Sequence, residues 1–355
     1  MKIYVYPADR TGCGYFRLIW PAQALRAKGY SVEIMDPRHR AFNALVDVNT
    51  DKVLDVQVPT DADVIVLQRV THRHIAESIP FIRAKGVGVV VDIDDDLAAI
   101  HPRHPAFVNL HPHKDPLKVG NKNSLYHNWH NTALACRDAS IVTSSSQELH
   151  DRYANHGRGF VIRNYLPDFY LQVAHEDSDR VGWGGSVMSH PDDLDVLGRS
   201  VKLLIGSTDR DFHVIGPEWG VAEALNIDAS RVVATGPVDM HKWPEALTNL
   251  GIGIAPLSDT RFNGSKSWLK PLEYAGLGIP CVMSPRREYR EISKHGIGIS
   301  ASKPDQWFKK LRQLTTDDVY RRELGWHARE VAAQMTIPIH AYRWAEAWTS
   351  AYERP

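Results

Sequence analysis

The strongest constraint on this chain is an alternation of short, largely β-branched apolar runs with helix-period segments, and the alternation runs through the sequence twice. In the first pass, strands are predicted over 2–6, 31–35, 62–68, 87–93, 140–143 and 160–162. Helices fall between them over 16–28, 74–85, 124–137 and 147–155, with stops at Gly29 and Gly86. Runs such as Val87–Ile93 show no polar alternation, so both faces of the strand must be covered. That is the signature of a parallel sheet flanked by helices. The pattern restarts after Asn164-Tyr165-Leu166-Pro167, and the polar stretch 175–180 reads as a linker. A second set of strands is expected over 181–183, 211–215, 232–235, 251–255, 280–283 and 298–300. Helices are expected over 194–205, 246–249, 268–275, 288–294, 305–314 and 317–334. The resulting division is an N-terminal α/β domain over 1–170, a second over 178–335, and a terminal segment over 336–355. The helix 340–352 in that segment should pack back on the first domain through Tyr342, Trp344, Trp348 and Tyr352, or leave those rings as a surface patch for a partner.

The size agrees with two cores. The chain has 355 residues, 43% of them hydrophobic, more than one ordinary core accommodates. Lysine plus arginine and aspartate plus glutamate both number 42, so no global basic field marks a nucleic-acid binder. The cysteines Cys13, Cys136 and Cys281 are scattered with no paired metal-ligand spacing, which fits a reducing cytoplasm. The N-terminus reads as a strand rather than a leader, and no apolar run is long enough for a transmembrane segment.

The densest chemistry lies over 261–282. A loop, Arg261-Phe262-Asn263-Gly264-Ser265-Lys266-Ser267, leads into a helix whose N-terminus Ser265 and Ser267 can cap. Backbone N–H groups at a helix start, with ammonium groups beside them, form an anion site suited to a diphosphate. Lys266, Lys270 and Glu273 share one helix face, and a carboxylate beyond the phosphates is placed to accept hydrogen bonds from ribose hydroxyls. A solvated Lys–Glu helix pair is the alternative. A second loop, Gly184-Gly185-Ser186, follows a strand. There Gly185 allows close approach to phosphate and Ser186 can donate to it. His190 is read as a phosphate or sugar contact, or as an ordinary residue at a helix start.

The first half supplies a strand–glycine turn–helix unit, Arg10-Thr11-Gly12-Cys13-Gly14-Tyr15-Phe16-Arg17, without the third glycine of a dinucleotide fingerprint. Gly12 and Gly14 shape the loop, and Arg17 on the following helix is a candidate for phosphate. A tight structural turn is the competing reading. Asp92, Asp94, Asp95 and Asp96 end a buried strand and repel one another, so something must compensate. Asp92 and Asp94 point to one face and are the candidate catalytic bases for an acceptor hydroxyl. The cluster Asp92–Asp96 is otherwise read as a Mg²⁺ or Mn²⁺ site or as helix caps. The pairs His101/His104 and His111/His113 lie in an irregular, proline-broken stretch and read as loop residues rather than metal ligands.

The stretch Gly251–Leu257 through Val282 resembles the donor-binding segment of GT-B glycosyltransferases, most closely the large retaining family 4. That resemblance implies a fold of two Rossmann-like domains with parallel sheets facing across a cleft. It also implies transfer of a sugar from a nucleoside-diphosphate sugar, most simply a UDP-sugar, with retention and with no cofactor required. It gives Glu273 the nucleotide ribose and places Asn263, Ser265 and His190 on the sugar side; where many members carry a further glutamate, this chain has Ser265. The opening loop, the aspartate cluster and Ile100-His101-Pro102 are similar to glycosyltransferases of actinobacterial bacteriophages. That likeness implies action in a host cytoplasm on a hydroxymethylated base in phage DNA, with virion or other protein as the alternative acceptor. A DNA acceptor calls for a basic groove, for which Arg10, Arg17, Arg103, Lys114, Lys118 and Lys122 are candidates. A nucleotide-sugar 2-epimerase of the same fold is the rival activity.

Overall fold

The computed structural model describes residues 1–36, 42–111 and 128–355. His113, Lys114, Lys118 and Lys122 lie outside the described residues. The chain forms two compact units: residues 1–102, 106–164 and 337–355 make the first, and residues 103–105 and 165–336 the second.

The first unit is built on a parallel sheet of β1 (Lys2–Tyr6), β2 (Ser31–Ile34), β5 (Val64–Gln68), β6 (Gly88–Ile93), β7 (Ile141–Ser144) and β8 (Gly159–Val161), in the order β2-β1-β5-β6-β7-β8. β5 and β6 are buried at every position, as their unbroken apolar runs require. Between β2 and β5 the chain inserts an antiparallel hairpin, β3 (Asn43–Val46) with β4 (Val53–Gln57), bulged at Leu45/Val46. The hairpin was not foreseen, because its strands are only four and five residues long, show no regular apolar–polar alternation and are mostly exposed. Its turn is set by Asp47, whose carboxylate accepts from the Asn49 and Thr50 backbone N–H groups at 2.9 and 2.8 Å.

The helix after β1 begins earlier than expected and runs over 12–27, with a π turn at Tyr15–Ile19. Asp9 starts it: Oδ1 accepts from the N–H groups of Thr11 and Gly14 and from the Thr11 hydroxyl. Gly14 is obligatory there, since a Cβ would stand 1.9 Å from the Asp9 carbonyl oxygen.

The last helix, Tyr342–Tyr352, belongs to the first unit. Trp344 and Trp348 are fully buried, with Ala347 and Ala351 on the same stripe, and Trp344 Nε1 donates to the Arg17 carbonyl at 2.9 Å. Tyr342 and Tyr352, expected to share in the docking, are 54% and 48% exposed. The apolar stripe therefore holds the two tryptophans and small residues, and the tyrosines flank it.

The second unit carries β9 (Val181–Gly184), β10 (Phe212–Ile215), β11 (Val232–Ala234), β12 (Ile252–Ala255), β13 (Cys281–Met283) and β14 (Ile299–Ser300) in one parallel sheet ordered β11-β10-β9-β12-β13-β14. In order of appearance that is 3-2-1-4-5-6, the dinucleotide-fold order, whose direction of winding reverses between its first and fourth strands. Residues read as a linker are tied into this unit: Asp177 pairs with Arg321 at 2.8 Å, and His175 Nε2 lies 2.8 Å from the Leu250 carbonyl oxygen. Leu166, expected in the first domain, bridges to Thr336.

Candidate functional site

In doubly wound sheets, ligands bind beyond the carboxyl ends of the strands where the winding reverses. In the second unit that point lies between β9 and β12. The two strands pair only at Val181/Ile252 and Gly182/Gly253 and then part. Tyr274 fills the opening: its hydroxyl accepts from Gly184 N–H at 2.9 Å and donates to the Ile254 carbonyl at 3.2 Å. The ring lies so close to Gly253 that a Cβ there would sit 2.7 Å from it. Gly184 ends β9 at this position, and the chain leaves the sheet beyond Gly185. Gly185 N–H donates to Ile215 at 3.0 Å, so it continues the sheet, and the Ser186 carbonyl closes the next turn by accepting from Ser189 and His190.

Across from this loop, the segment 260–276 folds as two helices. Arg261–Gly264 is capped by the Thr260 hydroxyl, and Leu269–Gly276 follows. Ser265 was expected to cap the second helix. Its hydroxyl instead donates back to the Phe262 carbonyl at 2.7 Å, because the intervening short helix has already turned the chain, and Trp268 stands at the cap position without a side-chain bond.

Lys270 reaches from the first turn of Leu269–Gly276 to the Gly184 carbonyl, with its ammonium 5.8 Å from the Trp183 ring. Burial pulls its pKa below the usual lysine range. Lys266 lies 4.2 Å from the Phe262 ring centre. Glu273 is 6% exposed; Tyr170 donates to its Oε1 at 2.7 Å, and burial pushes its carboxyl above the ordinary range against the pull of Lys270, Tyr170 and Trp243. The structure thus brings Lys270, Glu273 and the Gly184 loop together. His190 joins them through Lys266 and Lys270, whose charges, after burial, hold the imidazole pKa down. Asn263 turns its amide to Asp193 and Ser258.

Asp193 is the residue that the motif reading missed. It sits among ordinary loop residues in the sequence, and only its burial, at 1% exposure, marks it.

In the first unit, the four aspartates at the end of β6 and just beyond it find their compensation in arginines. Asp92 and Arg17, both fully buried, form a two-pronged pair at 3.1 and 2.8 Å. Thr143 also donates to Asp92 at 2.6 Å, and Arg17 further binds Ile162 and Asn164. Arg69 pairs with both Asp94 and Asp95 and contacts the Cys13 sulfur at 2.9 Å. Burial pushes the Asp94 carboxyl up while Arg69 pulls it down. Asp96 pairs with Arg152 and accepts from the Tyr153 hydroxyl at 2.7 Å.

Cys13, Asp94 and Asp95 offer ligand atoms within 4.8 Å of one another. The Arg69 guanidinium already holds the cation's place, and a thiol does not suit a hard ion, so this set does not fit Mg²⁺ or Mn²⁺. Gly12 and Gly14 lie in the first turn of the helix over 12–27. Of the basic candidates for a DNA groove, Arg10 pairs with Asp36 and Arg103 with Asp192, while Arg17 is buried. His101 and His104 fall to different units. His111 is buried and stacked on Phe107 at 4.5 Å.

Residues 178–317 match the family described as glycosyl transferases group 1. No curated protein matches the sequence. Among solved structures, the chain is similar to HepE of Anabaena in complex with UDP, with 13% identity, 99% of this chain and 100% of that one covered, and a TM-score of 0.62. It is also similar to sucrose-phosphate synthase of Thermosynechococcus elongatus, with 10% identity, full coverage of both chains and a TM-score of 0.60. TarM gives 13% identity and a TM-score of 0.58 over 87% of this chain. This chain spans 64% of TarM's length. The two parallel-sheet, Rossmann-like α/β units are those of the GT-B fold.

Proposed function

We propose that this chain is a GT-B glycosyltransferase that moves a sugar from a nucleoside-diphosphate sugar, UDP-sugar foremost, to an acceptor hydroxyl, with retention at the anomeric carbon. The observation that carries the reading is the junction in the second unit. There the winding reverses between β9 and β12, Lys270 reaches the Gly184 loop, and a buried carboxylate, Glu273, stands one helical turn further on. The family match over 178–317 covers that junction.

In this reading the diphosphate gains charge as the glycosidic bond breaks, and Lys270, Lys266 and the start of the helix Leu269–Gly276 stabilise it. Glu273, steadied by Tyr170, accepts from the ribose hydroxyls. Asp94 is the candidate base toward the acceptor. Asp92, fully buried against Arg17, supports the end of β6 that carries Asp94. The likeness to bacteriophage enzymes makes hydroxymethylated bases in DNA the first acceptors to test, with protein hydroxyls second.

Calorimetry with UDP on the intact protein and on Lys270→Ala tests the donor site. Wild type is expected to bind, and the variant to lose roughly tenfold or more in affinity, the scale of a charge-assisted phosphate contact. Equal affinity in the two proteins would refute the assignment. A second reading comes from the likeness to a Listeria monocytogenes protein assigned as a UDP-N-acetylglucosamine 2-epimerase, at 12% identity and a TM-score of 0.55. Conversion of UDP-N-acetylglucosamine with no acceptor present would select it. Sugar appearing on hydroxymethylated DNA or protein, read by mass spectrometry, would select transfer.

A further inference from the structure

The loop after β9 and the segment after β12 are held together by one buried carboxylate, that of Asp193. Its Oδ1 accepts from the Ser258 backbone N–H at 2.9 Å, the Ser258 hydroxyl at 2.9 Å and the Asn263 amide at 2.5 Å. Its Oδ2 lies 3.0 Å from His190 Nδ1. Among the described residues, His190 is the one basic side chain within ion-pair distance of it. A buried carboxylate with three donors on one oxygen stays ionised, and its pKa is indeed held below the ordinary range. An ionised carboxylate facing a ring nitrogen selects the tautomer with the proton on that nitrogen.

We propose that Asp193 is a positioning residue of the donor site: by taking the Nδ1–H of His190 it leaves Nε2 as the ring atom that meets the donor's diphosphate, and through Ser258 and Asn263 it locks the two loops that border the strand divergence. This rests on the reading of the second unit as a nucleotide-sugar site.

The surroundings give the dyad a consequence. Lys266 and Lys270 face His190 from the loop before the helix Leu269–Gly276 and from its first turn, and Asp193 faces it from its own loop. Asp192, next in the chain, is paired with Arg103. In the free protein, burial and the two lysines hold the imidazole pKa below its ordinary value against the pull of Asp193. A bound diphosphate offsets both ammonium charges and offers an acceptor. Nε2 then takes a proton from solvent and donates it in a hydrogen bond to a phosphate oxygen, while Nδ1–H stays on Asp193. UDP binding and proton uptake are therefore coupled, and affinity falls as pH rises, because the protonated form is lost.

The test is titration calorimetry with UDP in two buffers of different ionisation enthalpy, over about pH 6 to pH 8. Wild type is expected to take up a proton on binding. His190→Gln, which leaves the Asp193–Ser258–Asn263 network in place, should bind UDP without uptake and with a flattened pH profile. Asp193→Asn should lose the uptake and about tenfold in affinity. If Asp193→Asn does not fold, nitrogen-15 NMR of the histidine rings in the wild type reads the same claim, with Nδ1–H as the expected His190 tautomer. Unchanged proton uptake in His190→Gln, or an Nε2–H tautomer in the free protein, overturns the inference alone. Failure of wild type to bind any nucleoside diphosphate overturns the donor-site reading and the inference with it.

Discussion

Glu273 is a carboxylate placed where the fold disfavours its charge. Its pKa is raised chiefly by burial, so above that pKa the ionised form costs stability, and the cost is relieved as pH falls through it. Replacing the charge should therefore help the fold and harm the function. For Glu273→Gln we expect the unfolding midpoint at about pH 8 to rise by roughly 2–4 °C, about 1 kcal/mol for a unit of this size. The gain should shrink toward pH 5, and UDP affinity should fall. Thermal unfolding across pH checks the first part and calorimetry the second; a lower midpoint at alkaline pH would show that the carboxylate is a net stabiliser. The aspartates at the end of β6 and just beyond it carry the converse lesson. A cluster of four acids invites a metal from sequence alone, yet Arg17, Arg69 and Arg152 stand against them. Breaking a fully buried pair such as Arg17–Asp92 leaves an uncompensated charge, which explains why both side chains are enclosed with further donors and acceptors around them.

Among the elements, the helix Tyr342–Tyr352 places two fully buried tryptophans in the first unit. It ends the chain but belongs to the first unit, where its backbone lies so near β6 that a Cβ on Gly88 would stand 2.3 Å from the Ala351 carbonyl oxygen. Trp348→Ala removes a fully buried ring and is expected to cost about 3–5 kcal/mol, read as a lower urea midpoint of the first unit. Tyr352→Ala, at a 48% exposed ring, should change stability by less than about 0.5 kcal/mol. The helix Leu269–Gly276 supports the candidate site from one stretch of sequence. Its first turn supplies Lys270, its second supplies Tyr274 to the gap between β9 and β12, and Glu273 lies between them in sequence. This helix was legible because the loop leading into it and the spacing of Lys266, Lys270 and Glu273 on one face mark it. The helix before it was not, because Arg261–Gly264 spans a single turn and leaves no period to read.

The two units share an architecture and differ in winding. Setting the β3–β4 hairpin aside, the first sheet runs 2-1-3-4-5-6 in order of appearance and the second 3-2-1-4-5-6. The proposed donor site lies in the second. Hydrogen exchange with and without UDP should show protection centred on 184–193, 256–265 and the helix Leu269–Gly276. Protection centred instead on the Gly12–Gly14 turn and the end of β6 would move the nucleotide to the first unit.

Periodicity alone determined that this chain makes two parallel α/β layers, because strands covered on both faces leave no polar positions and the helices between them must be amphipathic. It also determined that a lysine-bearing loop meets a helix start in the second half, since that arrangement is local. Only the tertiary structure decided which charges are spent on one another. Arg17 and Asp92 are 75 positions apart, and Asp193 and Asn263 are 70 apart. A side chain's type is the same whether it ends in water or against a buried partner; desolvation and pairing are properties of the folded neighbourhood, and the linear order of residues does not carry them.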